Sequence, residues 1–129
     1  MKKKYKVLIV DDDKFLLEMY KKKFEKYELD TDISVGPMDV LEKLRAGATP
    51  DILILDIIMP GMDGIELLQT IRDEKLSTNS IVVMLTNESD AERINRAKEL
   101  GAAGYIVKAT SIPSEVVEEV LKIADEHTK

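Results

Sequence analysis

Cysteine is absent from the 129 residues, so disulfides, thiol catalysis and Cys-ligated zinc or iron–sulfur clusters are excluded. Histidine occurs once, as His127 in the C-terminal tail, where it reads as a solvated side chain. Positive charge is in deficit. There are 19 Lys and Arg against 25 Asp and Glu, a net charge of -6, whereas a nucleic-acid-binding surface needs clustered cations to neutralise phosphates. The one basic cluster, Lys2-Lys3-Lys4 with Lys6 nearby, reads as a solvated lead-in to a first strand. Long apolar runs are missing as well. Val7–Val10 is followed at once by three aspartates, too short a run for a signal-peptide core, and nothing approaches the ~20 apolar residues of a membrane span. The expectation is one domain over residues 1–129, cytoplasmic, with no membrane insertion and no direct nucleic-acid partner.

What is present is a series of short apolar runs, each ending in a charged or hydroxyl residue. Ile52-Leu53-Ile54-Leu55 is unbroken and stops at Asp56, after which Pro60, Gly61 and Gly64 turn the chain. Such a run suits a strand buried on both faces of a parallel sheet. Val7–Val10 has the same form and ends in Asp11-Asp12-Asp13, Ile81–Leu85 ends in Thr86, and Gly104–Val107 ends in Lys108. Residues 31–35 alternate polar and apolar, as an edge strand does.

Between these runs the apolar period changes to that of helices. Leu16, Tyr20, Phe24 and Tyr27 mark one face of a first helix, with Lys21, Lys22, Lys23 and Lys26 opposite. Val40, Leu41 and Leu44 mark a second, and Ile65, Leu68 and Ile71 a third. A fourth, capped by Ser89 or Asp90, runs through Ile94 to Leu100 and stops at Gly101. The fifth opens with Pro113 and carries Val116, Val120 and Ile123. Five strands alternating with five helices imply an α/β fold, a parallel sheet covered on both faces. Right-handed crossovers then bring Asp11, Asp12, Asp56, Thr86 and Lys108 to one edge of the sheet.

Taken alone, Asp56 is equally a turn residue or a ligand residue at the carboxyl end of a strand. Three converging carboxylates repel, each unit-charge pair at ~4 Å costing about 4 kcal/mol at an effective dielectric near 20. Either raised pKa values or a bound cation relieves this. An oxygen-only donor set points to a hard ion, and so few carboxylates suit Mg²⁺ better than Ca²⁺.

The chain resembles the response-regulator receiver domains of two-component signalling, of the single-domain, chemotaxis-regulator type. The likeness rests on Val-Asp-Asp at 10–12, Asp-x-x-Met-Pro-x-Met-Asp-Gly from Asp56 to Gly64, Thr86 after the fourth strand, and Gly-Tyr-Ile-Val-Lys at 104–108. The resemblance implies a doubly wound, flavodoxin-like (βα)₅ fold with strand order 2-1-3-4-5. It also implies that Asp56 accepts a phosphoryl group from a phosphohistidine on a histidine kinase or histidine phosphotransfer protein. Asp12, Asp56 and the backbone carbonyl of Ile58 would hold Mg²⁺, with Asp11 acting mostly through water. Lys108 would pair with the phosphoryl oxygens, Thr86 would close onto them, and Tyr105 would be the aromatic switch. Output would pass through helix 4, strand 5 and helix 5 to a downstream protein or a second copy. The expected role is not enzymatic, apart from self-phosphorylation from phosphodonors and slow self-dephosphorylation.

Three positions differ from the usual receiver pattern. Ala109 stands where a proline is usual, Asn87 where a small residue is usual, and Ile58 offers no polar side chain to position an attacking water, a task left to Glu88. Other readings carry less. A receiver-like adaptor working without phosphorylation is one. A haloacid-dehalogenase-like phosphohydrolase would use Asp11 and Asp13, but Phe15 stands where that motif has threonine and there is no room for a cap domain. In a flavodoxin-like FMN site, three aspartates would repel the ligand's phosphate.

Overall fold

The computed structural model describes residues 5–87, 91–108 and 111–128. In chain order the elements are β1 (Lys6–Asp11), α1 (Lys14–Lys26), β2 (Asp30–Val35), α2 (Pro37–Arg45), β3 (Ile52–Leu55), α3 (Gly64–Asp73), β4 (Ile81–Thr86), α4 (Ala91–Glu99), β5 (Gly104–Val107) and α5 (Pro113–His127). The strands form one parallel sheet in the order β2-β1-β3-β4-β5, as the family resemblance implied. Among the described residues no helix is long and apolar enough to cross a membrane.

The period of two along each strand divides the core between the two faces of the sheet. Val7, Ile9, Ile52, Ile54, Val83, Leu85 and Ile106 face α1 and α5. Leu8, Val10, Leu53, Leu55, Val82 and Met84 face α2, α3 and α4. All four residues of β3 are fully buried, which is why its sequence is an uninterrupted apolar run. β2 lies at one edge, and Lys43 reaches from α2 to donate to the Ile33 carbonyl at 2.6 Å and to Asp32 at 3.1 Å.

Helix faces depart from the expected stripes by a residue or two. In α1 the buried residues are Leu17, Tyr20 and Phe24, with Leu16 only partly covered. Tyr27 is the C-cap, outside the helical repeat, and 38% exposed. In α3 Leu67 joins Leu68 and Ile71 while Ile65 is only partly buried, and in α5 Val117 and Ala124 join Val116 and Val120 while Ile123 is only partly covered. The reason is common to all three: a face packed on a twisted sheet is wider than one residue per turn. The expected cap of α4 at Ser89 or Asp90 lies outside the described residues, as does the Lys2–Lys4 cluster.

Ser34 of β2 is 1% exposed and its hydroxyl has no hydrogen-bond partner among the described residues. An unpaired buried hydroxyl costs about 1–3 kcal/mol. Ser34→Ala should therefore stabilise the fold by about 1 kcal/mol, the gain being trimmed by lost contacts. Urea denaturation should show a higher midpoint at unchanged slope.

Candidate functional site

The sheet order places β1 and β3 side by side while the chain leaves them in opposite directions, β1 toward β2 and β3 toward β4. The crevice at such a switch point, beyond the strand C-termini, is where open α/β sheets accept ligands. Asp11 ends β1, Asp56 directly follows β3, and the Asp56 N–H still donates to the Val10 carbonyl at 3.1 Å. Both aspartates are buried, whereas Asp12 is exposed at the mouth. One carboxylate oxygen from each of Asp11, Asp12 and Asp56 lies within 4.8 Å of the others.

The third aspartate of the run has a different task. Asp13 is the N-cap of α1, accepting from the Leu16 N–H at 3.2 Å, and its own N–H donates to Asp11 Oδ1 at 3.1 Å. Capping takes it out of the carboxylate group, so Asp11 and Asp13 are not presented as a pair.

Lys108, directly after β5, brings the compensating charge. Its Nζ lies 2.6 Å from Asp11 and 3.5 Å from Asp56. Burial pulls the ammonium's pKa down, but the Asp11 hydrogen bond and the Asp56 and Asp11 charges outweigh it and leave the pKa raised. Asp56 is pushed up to about 6, chiefly by burial; Lys108 pulls the other way, Asp11 pushes it further up, and a backbone hydrogen bond from Ile58 lowers it. Asp12 is also held above the usual carboxylate range, first by desolvation and then by Asp11. The donors are all oxygens, close together and partly open to solvent through Asp12, which fits a hard divalent cation that keeps some of its waters.

The remaining predicted residues sit around this group. Thr86 is the last residue of β4 and fully buried. Tyr105 pairs in register with Met84 and is 42% exposed, with Lys98 Nζ 5.8 Å from its ring centroid. Ile58 is about half exposed, and Asn87 is exposed just beyond β4. Glu88 and Ala109 lie outside the described residues.

Three residues take parts in the site that the sequence patterns did not assign to them. Asp63 is the N-cap of α3, forms a capping box with Glu66, and stands 3.8 Å from Arg93 of α4. The Asp-x-x-Glu spacing carried that signal. Gly64 donates its N–H to the Ile57 carbonyl at 2.7 Å, and any Cβ there would run into the Asp56 carbonyl. Nothing in the sequence revealed that approach, which depends on how the loop folds back. Tyr20 counted only as an apolar-face residue, yet its hydroxyl pKa is raised chiefly by burial and is acted on by Lys108, Asp11 and Asp56.

Residues 7–120 match the family described as response regulator receiver domain. Among solved structures, the chain is similar to the receiver domain of the Francisella response regulator 1452, with 30% identity, 97% of this chain and 99% of that one covered, and a TM-score of 0.81. It is similar to chemotaxis protein CheY4 of Vibrio cholerae at 26% identity, with 94% and 99% covered and a TM-score of 0.83. It is also similar to a CheY-like response regulator receiver domain protein from Methanospirillum hungatei, at 25% identity, 98% of each chain and a TM-score of 0.86.

The raised pKa of Asp56 makes stability depend on pH in a defined direction. Between the unfolded value of 3.8 and about 6, the folded state holds more protons than the unfolded one, so stability falls as pH rises through that window. The loss is complete above about 6 and amounts to about 2 kcal/mol after allowance for screening. In EDTA, wild type should lose this stability between pH 4 and 7, and Asp56→Asn should lose much less, only the raised Asp12 acting in the same direction; chemical denaturation across the range measures both. Gly64→Ala should destabilise at every pH by at least about 2 kcal/mol, since backbone must move to admit the methyl group.

Proposed function

Because the chain belongs to the response regulator receiver domain family of two-component signalling, we propose that Asp56 is its phosphoacceptor and that phosphorylation switches a protein-binding surface. The observation that carries this reading is the convergence of three carboxylates, one oxygen of each within 4.8 Å of the others, beside an ammonium 2.6 Å from Asp11 and 3.5 Å from Asp56. Near neutral pH an Asp56 with a pKa of about 6 is mostly ionised, and burial has stripped it of much of its hydration. A partly desolvated carboxylate beside a fixed cation is a competent nucleophile toward phosphorus.

In the proposed reaction an Asp56 carboxylate oxygen forms a bond to the phosphorus of a phosphohistidine. The phosphorus–nitrogen bond breaks, and its electron pair stays on the imidazole of the donor, a histidine kinase or phosphotransfer protein. Asp11, Asp12, Asp56 and the Ile58 carbonyl would hold Mg²⁺, which supplies charge neutralisation for the carboxylates and the phosphoryl oxygens. Lys108, already 3.5 Å from Asp56, needs only a small shift from Asp11 to meet a phosphoryl oxygen. Thr86 would turn its hydroxyl to another.

Tyr105 lies on the same side of the sheet as Thr86. Met84 belongs to the core facing α2–α4, and by the alternation of strands both Thr86, two residues on, and Tyr105, paired with Met84, share that side. Movement of Thr86 toward a phosphoryl group would open space for the tyrosine ring. The surface formed by α4, β5 and α5 would then change its shape for a downstream protein or a second copy. Self-dephosphorylation would be slow, because Ile58 offers no polar group to an attacking water.

Incubation with acetyl phosphate and Mg²⁺ should add the mass of one phosphoryl group to the intact protein. EDTA or Asp56→Asn should abolish the adduct, and labelling that survives Asp56→Asn would refute the assignment. Thr86→Ala should still be labelled, but amide shifts along α4 and β5 on adding beryllofluoride with Mg²⁺ should shrink to a small fraction of the wild-type changes.

A further inference from the structure

The aromatic ring of Tyr105 is not simply open to water. Lys98, exposed on α4, sets its Nζ 5.8 Å from the ring centroid. A cation over the face of a tyrosine is attracted by the ring quadrupole. The backbone just beyond the lysine is anchored: two and three residues on, in the turn after α4, Arg72 of α3 donates to the Leu100 carbonyl at 2.7 Å and the Gly101 carbonyl at 3.3 Å. Burial does little of that holding, since among the described residues of α4 only Ile94 and Ala97 are buried. The end of α4 that carries Lys98 is therefore anchored by a side chain bound to the carbonyls of the turn that follows it, and the ammonium is presented to the ring from that anchored end.

We propose that Lys98 is a latch that holds Tyr105 in its outward, solvent-facing position and so biases the resting protein away from the inward arrangement. This rests on the reading of Tyr105 as a switch residue. The ring cannot move inward and keep the ammonium over its face, so the attraction is lost along that path. The free energy of a phosphoryl group at Asp56 has first to overcome it. Removing the cation should raise the inward population by about two- to five-fold, the factor expected of an exposed cation–π contact. By linkage, the concentration of beryllofluoride needed for half-conversion should fall by the same factor.

The test uses NMR of protein with labelled tyrosines, the Tyr105 ring being assigned through Tyr105→Phe. Wild type, Lys98→Met and Lys98→Arg are compared, the first substitution keeping the stem without the charge and the second keeping a cation. Ring exposure is read from broadening by a soluble paramagnetic probe, first in resting protein and then during titration with beryllofluoride and Mg²⁺. The expected result is a resting ring more shielded in Lys98→Met than in wild type, with the midpoint lowered two- to five-fold, and wild-type behaviour in Lys98→Arg. A resting ring equally or more exposed in Lys98→Met, with an unchanged midpoint, would overturn the latch. The wider reading fails separately: if beryllofluoride leaves Tyr105 unmoved in wild type while Lys98→Met still shields the ring, the latch stands and the switch role of Tyr105 falls.

Discussion

Charge crowding at one sheet edge governs much of this molecule. Asp11 and Asp56 are buried carboxylates, Asp12 stands over them at the mouth, and Lys108 supplies one ammonium for the group. The ammonium favours Asp11; burial first, and the Asp11 charge after it, lift the Asp56 carboxyl to about 6 against the pull of Lys108. The site is thus poised: a carboxylate incompletely neutralised in a low-dielectric setting gains from any ligand that brings positive charge.

Such an arrangement persists only because the backbone beneath it cannot relax. β3 is buried along its whole length between two apolar layers, so Asp56 cannot withdraw toward solvent without dragging core residues after it. From above, Gly64 packs against the Asp56 carbonyl and bonds to Ile57, while Asp63 and Glu66 cap the helix that follows. The stress of the site is therefore held by packing around it, and the parts free to respond lie to one side. β5 is an edge strand, and α4 buries few residues and is tied along its length to α3 by exposed polar contacts through Arg93 and Arg96, while Arg72 anchors only the turn after its C-terminal end. Elements held by exposed polar ties can shift at small cost, whereas the central strands cannot.

Much of this was legible in advance. The apolar runs ending in Asp11, Asp56, Thr86 and Lys108 became β1, β3, β4 and β5, and they bring those residues to one edge as expected. Asp12 joined the carboxylate group as expected. Asp13, which was not expected in that group, caps α1 with its side chain, a role its position before a helix could have suggested. Helix faces were read a residue off in α1 because apolar periodicity locates a stripe, while the sheet's twist decides how wide the stripe must be.

The amino-acid sequence by itself determined the alternation of strands and helices, the parallel sheet and the set of charged residues at its edge, because those follow from local period, turn chemistry and the handedness of crossovers. Only the tertiary structure decided how that charge is shared: that Lys108 sits closer to Asp11 than to Asp56, that Gly64 must lack a side chain, and that Lys98 meets the ring of Tyr105. Each of these depends on ångström-scale distances between residues remote in the chain. Residue type and spacing set which groups meet, while packing sets how closely, and electrostatic energies in a buried site turn on the second.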